Sequence, residues 1–310
     1  MVFGAFRQRM CFRHWGEYEI MFIHLNTHSV YSPMRGLLSL SDLMNLSQSH
    51  GMDTLALTDV NGMWGFIRFV QHCKDAGIRP IAGTNLITEN DDVILLAENQ
   101  YGYENMCRAV SAVHDNSKQS ITDILEKKLA GLFVLAHKES TLNKLINIIP
   151  YTHLFLELRP GIQESYMQKL AKKLKLEMVV TGDVYFRSQS DHDAHVTLRA
   201  IEKNTTLKQL DIAECKTNHH WFRSEAEMVK LFPNSLDGLN NSQYLADRCK
   251  TDWSFINTIF PGLSLKETHI SNKKLKDKVY AGAKIRYGEV DEMIRQRIEY
   301  ELDLITQKGF

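Results

Sequence analysis

Residues 53–87, DTLALTDVNGMWGFIRFVQHCKDAGIRPIAGTNLI, place two apolar runs on either side of an amphipathic stretch. DTLALT is typical of a buried strand, WGFIRFVQHCKDAG of an amphipathic helix that ends at Gly77, and IRPIAGTNLI of the next strand. A strand, a helix and a strand in this order indicate a right-handed crossover between parallel strands. This segment therefore favours an α/β fold.

Strand and helix patterns alternate along most of the chain. A strand-like stretch at 21–29 precedes the quoted segment, and VILLAEN, GLFVLAH, HLFLELR and EMVVTGDVYF follow it with helical stretches between them. The alternation continues to about residue 205, and short helical stretches occupy 220–250. A long helix with a narrow apolar stripe is then predicted from about Lys274 to Gln307. The pattern predicts parallel strands with helical crossovers, followed by a small, mainly helical segment.

The composition excludes several classes of protein. The 310 residues are 44 % hydrophobic and 24 % charged, which is ordinary for a soluble globular protein and argues against a disordered chain. No run reaches the about 18 apolar residues of a membrane span, and the first twenty residues lack the apolar core of a secretory signal. Five scattered cysteines without a CxxC pair argue against a disulfide framework and a cysteine zinc site. We therefore expect a cytoplasmic protein without membrane attachment.

The charge balance is neutral, with 37 basic and 37 acidic residues. The chain thus lacks the overall positive charge of a small DNA-binding protein, although a local basic patch is compatible with this balance. The candidate DNA-facing residues are Lys273, Lys274, Lys276 and Lys278, and a solvated helix surface is the alternative.

Histidines and acidic residues lie where strands are expected to run or end. His24, Asn26 and His28 are spaced so that on a strand they share one face. Such a row at the carboxyl end of a barrel strand can share a metal cluster, and two ordinary core or surface histidines are the alternative. Asp59 and Asp183 each follow a predicted strand, where α/β folds collect functional groups.

Three further residues are weaker candidates. Asp193 and His195 form an Asp-x-His pair after the last predicted strand, and for Asp193 helix N-capping is the alternative. His137 follows the strand pattern GLFVLA and is either a pocket residue or a surface histidine.

Six segments in consistent order together resemble a known family. FIHLNTHSVYSPMRG at 22–36, the stretch at 55–86 and VVTGDVYFRSQSDHDAHVTLRAIEKNTTL at 179–207 resemble motifs of the PHP (polymerase and histidinol phosphatase) domain. HHWFRSEAEMVKLFPN, NSQYLADRCK and IRQRIEYELDLITQKGF resemble the segment that leads toward the palm of bacterial DNA polymerase III α subunits. The resemblance covers about residues 21–310 and indicates the replicative polymerase branch of the family.

This resemblance implies a domain organisation and a set of partners. We expect a distorted parallel (β/α) barrel of the PHP type at 21–215, a helical linker with the start of a palm region at 216–310, and a disordered extension at 1–20. The implied function is that of the N-terminal part of a DNA polymerase III α-like subunit in DNA replication. The implied partners are the remainder of the polymerase chain, a proofreading exonuclease subunit, and DNA through the full-length protein.

Active members of the family hold two or three divalent metal ions for phosphoester hydrolysis. His24, His28, Asp193 and His195 match ligand positions of that family. Other ligand positions carry residues that bind metal weakly or not at all, namely Asn26, Val60, Asn85 and Tyr185. Arg35 replaces a family aspartate and adds a cation beside the pocket, which also contains Asp59 and His137. The resemblance therefore implies a degenerate site, with Mn²⁺, Mg²⁺ or Zn²⁺ only if the site still functions.

The enzymatic outcome stays open at this point. A surviving metal-dependent phosphoesterase or 3′–5′ exonuclease is the alternative to a structural or docking module. The palm aspartates of family polymerases would lie beyond Phe310, so no polymerase active-site residue is assigned within the chain.

Overall fold

The computed structural model describes residues 20–116, 119–126, 128–253 and 268–308. The predicted disordered extension at 1–20 lies outside these residues except for its last position. The chain forms two compact units, divided between Asp252 and Trp253. Among the described residues, no helix combines the length and the apolar character that crossing a membrane requires.

A six-stranded sheet forms the first unit, and its strands are adjacent in chain order. The strands are β1 (Thr54–Leu57), β2 (Arg79–Ile87), β3 (Asp92–Ala97), β4 (Leu132–Ala136), β5 (Leu154–Leu158) and β6 (Met178–Val180). Neighbouring strands are parallel except at β3, which runs antiparallel to both β2 and β4. The predicted α/β barrel class is confirmed, while the expectation that all strands are parallel is wrong at β3.

The direction of β3 follows from the short connection that precedes it. Residues 88–91 join it to β2, and within them Thr88 N donates to Asp91 O at 2.9 Å. A parallel crossover needs a dozen or more residues, so this connection permits only a hairpin. Because β3 is reversed, its first residue, Asp92, lies at the same edge as the carboxyl ends of the parallel strands.

The segment predicted as a strand at 21–29 closes the sheet instead of forming a long strand. On one side, Ala56 N of β1 donates to His24 O at 3.0 Å. On the other side, His28 N donates to Val184 O at 2.8 Å and Val184 N donates to Asn26 O at 3.0 Å. The backbone of this segment therefore bridges the first strand and the chain that follows the last one.

Nine helices surround the sheet within the described part of the first unit. They are α1 (Leu40–Ser49), α2 (Phe66–Ala76), α3 (Gln100–Asp115), α4 (Ile121–Leu125), α5 (Glu139–Leu145), α6 (Glu164–Leu174), α7 (His192–Glu202), α8 (Glu225–Leu231) and α9 (Leu236–Arg248). As predicted, α2 ends before Gly77, whose φ of 71° lies in the left-handed region that glycine adopts without steric cost.

The first unit runs past the boundary at 215 that the sequence suggested, because α9 packs directly on β6. Asn241 Nδ2 donates to Met178 O at 2.7 Å, and a Cβ at Gly238 would lie only 2.9 Å from Val180. Arg79 at the start of β2 donates to Ala246 O at 2.8 Å. Residues up to 252 therefore support the barrel.

The second unit contains α10 (Thr268–Tyr287) and α11 (Glu292–Lys308). The single long helix predicted from Lys274 to Gln307 is wrong, since Gly288 adopts a φ of 77° directly after α10. Asp291 Oδ1 then accepts from Ile294 N at 2.8 Å at the start of α11. Within this unit, Lys276 Nζ lies 2.8 Å from Glu299 on α11, so this lysine is engaged in an ion pair. For Lys273, Lys274 and Lys278, a DNA-facing role stays a prediction.

Candidate functional site

A buried polar cluster lies at one edge of the barrel, where β4 and β5 end and the chain continues from β6. His137 follows β4 directly, Arg159 follows β5, and Asp183 lies three residues after β6. We define the polar cluster as these residues together with Asn26, His28, Asp92, Glu157, Lys216 and His220.

Asp183 is the centre of the polar cluster and is completely buried. Its Oδ2 lies 2.7 Å from Lys216 Nζ and 3.5 Å from Arg159 Nη1, and its Oδ1 accepts from Asn26 Nδ2 at 3.3 Å. Its φ of 43° is in the left-handed region, so local strain accompanies this placement. Burial alone would raise the pKa of Asp183, but Lys216 and Arg159 lower it well below its ordinary value.

Arg159 connects Asp183 to two further carboxylates. Its Nη2 lies 3.3 Å from Asp92 Oδ2, and its Nη1 lies 3.9 Å from Glu157 Oε2. Nη2 also lies 2.8 Å from His137 Nε2. Because a guanidinium only donates, His137 must accept at Nε2 and is neutral. Burial and the neighbouring Arg159 charge lower the pKa of His137 to about 3.

Asn26 stands where the family carries a histidine, and its side chain is fully hydrogen-bonded. Its Nδ2 donates to Glu157 Oε1 at 2.8 Å, and its Oδ1 accepts from Thr58 Oγ1 at 3.0 Å. Thr181 Oγ1 donates to the same Glu157 oxygen at 2.7 Å. Burial raises the pKa of Glu157, since the charged form loses its hydration.

His28 and Tyr185 stack against each other beside Asp183, with ring centroids 4.0 Å apart. His28 Nε2 is 3.6 Å from Asp183 Oδ1, which is too long for a good hydrogen bond. Neither His28 nitrogen nor the Tyr185 hydroxyl makes a hydrogen bond to any described residue. Burial lowers the pKa of His28 and raises that of Tyr185.

The other three residues that match ligand positions lie outside the polar cluster. His24 sits between Phe22 and Phe222 with Nε2 2.9 Å from Arg223 O. Burial lowers its pKa to about 4. The carboxylate of Asp193 is fully exposed on the first turn of α7. The structure therefore does not bring Asp193 together with the histidines.

His195 borders the polar cluster, but both of its ring nitrogens are occupied. Nδ1 donates to Arg35 O at 2.8 Å, and Nε2 accepts from Lys216 N at 3.0 Å. Burial lowers the pKa of His195 to about 4, consistent with this neutral form. The Arg35 guanidinium pairs with Glu202, with Nη2 3.6 Å from Glu202 Oε1.

Asp59 forms a separate hydrogen-bonded group with two serines. Its Oδ1 accepts from Ser29 N and from Ser32 Oγ, both at 2.7 Å. Burial raises the pKa of Asp59 against the effect of these donors. Val60 and Asn85 form a backbone bridge nearby and are both buried. The side-chain amide of Asn85 finds no hydrogen-bond partner among the described residues.

The arrangement does not fit a cluster of metal ions. Within the part of the chain that the structure describes, no three His, Cys, Asp or Glu side chains are grouped to hold a metal. Lys216 and Arg159 lie 2.7 and 3.5 Å from Asp183, so their charges occupy the space that a divalent cation would need.

The sequence patterns did not predict five members of the polar cluster. Glu157 is the one acidic residue inside the apolar run LFLEL, and Arg159 follows that run as His137 follows β4. Those two could have been found from their positions alone. Lys216 and His220 lie in an irregular stretch, and Asp92 owes its place to the reversed β3, so neither spacing nor pattern marks them.

A family model and several curated relatives match this chain in sequence. The family model described as PHP domain matches residues 24–176. This chain contains a PHP domain. Curated relatives of the PHP-containing chain include an error-prone DNA polymerase of Symbiobacterium thermophilum, 27 % identical over 93 % of this chain. A DNA polymerase III subunit alpha of Pasteurella multocida is 28 % identical over 94 % of it.

The chain spans only about a third of these relatives, 31 % and 29 % of their lengths. Among solved structures, a two-domain protein of Bacteroides vulgatus that contains a predicted PHP-like metal-dependent phosphoesterase is 14 % identical, with a TM-score of 0.43. That alignment covers 63 % of this chain and 61 % of that one.

Proposed function

We propose that this chain is the N-terminal part of a DNA polymerase III α-like protein that acts in DNA replication, and that its PHP domain is a structural module without hydrolytic activity. The observation that carries the second half is the contact of Asp183 with Lys216 and Arg159. The similarity to polymerase subunits over most of the chain supports the first half.

In metal-dependent hydrolysis of a phosphate ester, side-chain cations do not supply what the metal ions supply. A bound metal lowers the pKa of its water and takes the phosphate oxygen into its own coordination shell. An ammonium or guanidinium group offers charge and hydrogen bonds but no coordination position for water. The polar cluster is therefore suited to hold the barrel edge together rather than to activate a nucleophile.

The polymerase context suggests the partners of this module. The remainder of the polymerase chain would pack against it, DNA would be bound by the full-length protein, and a proofreading exonuclease subunit would dock on it. A cytoplasmic location fits this role.

Assays with added metal test the absence of hydrolysis. The purified chain is incubated with Mn²⁺ and either p-nitrophenyl phosphate or labelled single-stranded DNA, and its bound metal is measured. We expect no turnover and no stoichiometric metal. Turnover that disappears in His28→Ala would instead establish the phosphoesterase or 3′–5′ exonuclease alternative.

The coding sequence downstream of Phe310 tests the polymerase half separately. An in-frame palm with its aspartate trio would support the proposal. A stop codon directly after residue 310 would overturn it in favour of a PHP-only protein.

A further inference from the structure

An open cleft of about 450 Å³ lies over the polar cluster. Five cationic side chains line it, namely Arg35, Lys138, Arg159, Arg199 and Lys216. Asp92 and Glu214 are the carboxylates in its lining. Where an active metal site would present acidic ligands, this cleft presents mainly donors.

Two further carboxylates are buried beneath the cations that line the cleft. Asp183 and Glu157 are buried and do not line the cleft, while Lys216 and Arg159, which contact them, do. Glu202 pairs with both Arg35 and Arg199, which line the cleft, and is itself absent from the lining. A ligand that enters the cleft therefore meets ammonium and guanidinium groups first.

Two polar groups of the cleft are free to serve a ligand. Lys138 forms no ion pair with any described carboxylate, and its Nζ lies 3.5 Å from Asn90 O. The Tyr185 hydroxyl also borders the cleft, is buried, and donates to no described residue. A buried hydroxyl without a protein partner marks a position where a bound group is expected to accept.

We propose that this cleft binds a phosphate group, as inorganic phosphate or the end of a small monoester, without metal. A compact dianion can accept from several donors at once, and charge-assisted hydrogen bonds from arginine and lysine are the strong ones. Lys138, Arg35, Lys216 and Tyr185 supply the donors. The inference rests on the proposed function, because it takes the cleft to be free of catalytic metal.

Thermal unfolding of the whole chain in EDTA tests this site. Inorganic phosphate is compared with chloride at equal ionic strength, and phenyl phosphate with inorganic phosphate separates a monoester from the free ion. At a phosphate concentration well above the dissociation constant, the midpoint of thermal unfolding is expected to rise by about 2–4 °C. Calorimetry then gives the affinity, and no phosphate-specific shift would overturn the inference.

Two double variants localise the binding. Arg35→Gln/Lys138→Gln is expected to weaken phosphate binding at least about tenfold, because two charge-assisted donors are lost. Lys169→Gln/Lys172→Gln removes the same charge from the exposed surface of α6 and should leave the affinity unchanged. Equal losses in both variants would show general charge attraction and overturn the site.

The outcomes separate this inference from the proposed function. If phosphate does not bind in EDTA and no ester is hydrolysed with Mn²⁺, the inference fails and the structural module stands. If phosphate binds only with Mn²⁺ and esters are hydrolysed, the structural module fails. Lys138→Gln alone serves if the double variant unfolds, because Lys138 has no ion pair in the described residues.

Discussion

Asp59 and Asp183 occupy comparable places in the barrel but are stabilised in opposite ways. Each follows a strand at the same edge, and each is almost fully buried. Asp59 is held by uncharged donors from Ser29 and Ser32, and its pKa is raised. Asp183 contacts Lys216 and Arg159, and its pKa is lowered.

The difference shows two ways in which a buried carboxylate at this edge of the barrel can be stabilised. A buried carboxylate needs either a proton or a cation, because the bare charge is costly away from water. At Asp59 the balance moves toward the proton, and at Asp183 two side-chain cations keep the carboxylate charged. The two regions therefore respond differently to mutation and to pH.

Removal of Arg159 is expected to have the largest effect. In Arg159→Met the three carboxylates Asp92, Glu157 and Asp183 lose their shared cation, which should lower the free energy of unfolding by about 3–5 kcal/mol. Urea unfolding at neutral pH measures the change. No loss of stability of this size is expected around Asp59, because the donors that hold it are uncharged.

The control removes an exposed ion pair of the same chemistry. Arg187 Nη2 lies 2.7 Å from Asp42 Oδ1 at the surface, so Arg187→Met should change the stability by no more than about 1 kcal/mol. Equal effects of the two variants would contradict the central role of Arg159. If Arg159→Met does not fold, Arg159→Lys keeps the charge and should recover most of the stability.

Amide substitutions compare the two carboxylates directly. Asp183→Asn leaves Lys216 buried without a carboxylate and should cost about 3 kcal/mol of unfolding free energy. Asp59→Asn keeps an accepting oxygen for the serines but leaves its new NH2 group buried without an acceptor. This should cost about 1–2 kcal/mol of unfolding free energy. Urea unfolding of both variants at neutral pH gives the order, and a larger cost at Asp59 would reverse the comparison.

The same two variants should show opposite pH dependence. The stabilisation by Asp183 is complete above its ordinary pKa of 3.8 and is lost as the pH falls below that value, so the cost of Asp183→Asn should shrink in acid. Asp59 binds its proton more readily when folded, so stability is gained as the pH falls through its raised pKa toward 3.8. The cost of Asp59→Asn should therefore grow over that range.

Unfolding measured from about pH 7 to pH 3 checks both trends. Parallel trends for the two variants would show that proton and cation do not distinguish the two carboxylates, whatever their costs at neutral pH.

Local patterns account for the parts of the fold that the sequence predicted. The helix α2 and its flanking strands follow from periodicity and from Gly77, all within about thirty residues of chain. The reversal of β3 was not predicted, although it could have been, because only residues 88–91 separate β3 from β2. The break at Gly288 was missed, although glycine is the residue that most often ends a helix in the left-handed conformation.

The polar cluster was harder to predict because its decisive contacts are distant in the chain. Asp183 could be placed at a strand end, but its pairing with Arg159 and Lys216 depends on how β5 and an irregular stretch after α7 fold back on it. Asp193 illustrates the opposite error, since a motif position matched while the side chain points into solvent.

The smallest expected effect concerns His195, which fixes the backbone beside Lys216. Its pKa falls from 6.5 to about 4 on folding. Between these pH values the unfolded chain takes up a proton that the folded chain refuses, so stability is lost as the pH falls from 6.5 toward 4. His195→Gln keeps one donor and one acceptor, so it should change the stability at neutral pH little. It should remove up to one proton from the uptake on unfolding that causes this loss.

His24→Gln is the matched comparison, because His24 is buried with a similarly lowered pKa but lies away from Lys216. Both variants should reduce the slope of unfolding free energy against pH between 6.5 and 4. Only His195→Gln should also shift the pH range over which the stabilisation by Asp183 is lost, since only His195 accepts from the Lys216 backbone.

An equal shift in both variants would show that Lys216 is held by the barrel as a whole. An unchanged slope in His195→Gln would contradict the neutral form of His195 in the folded chain.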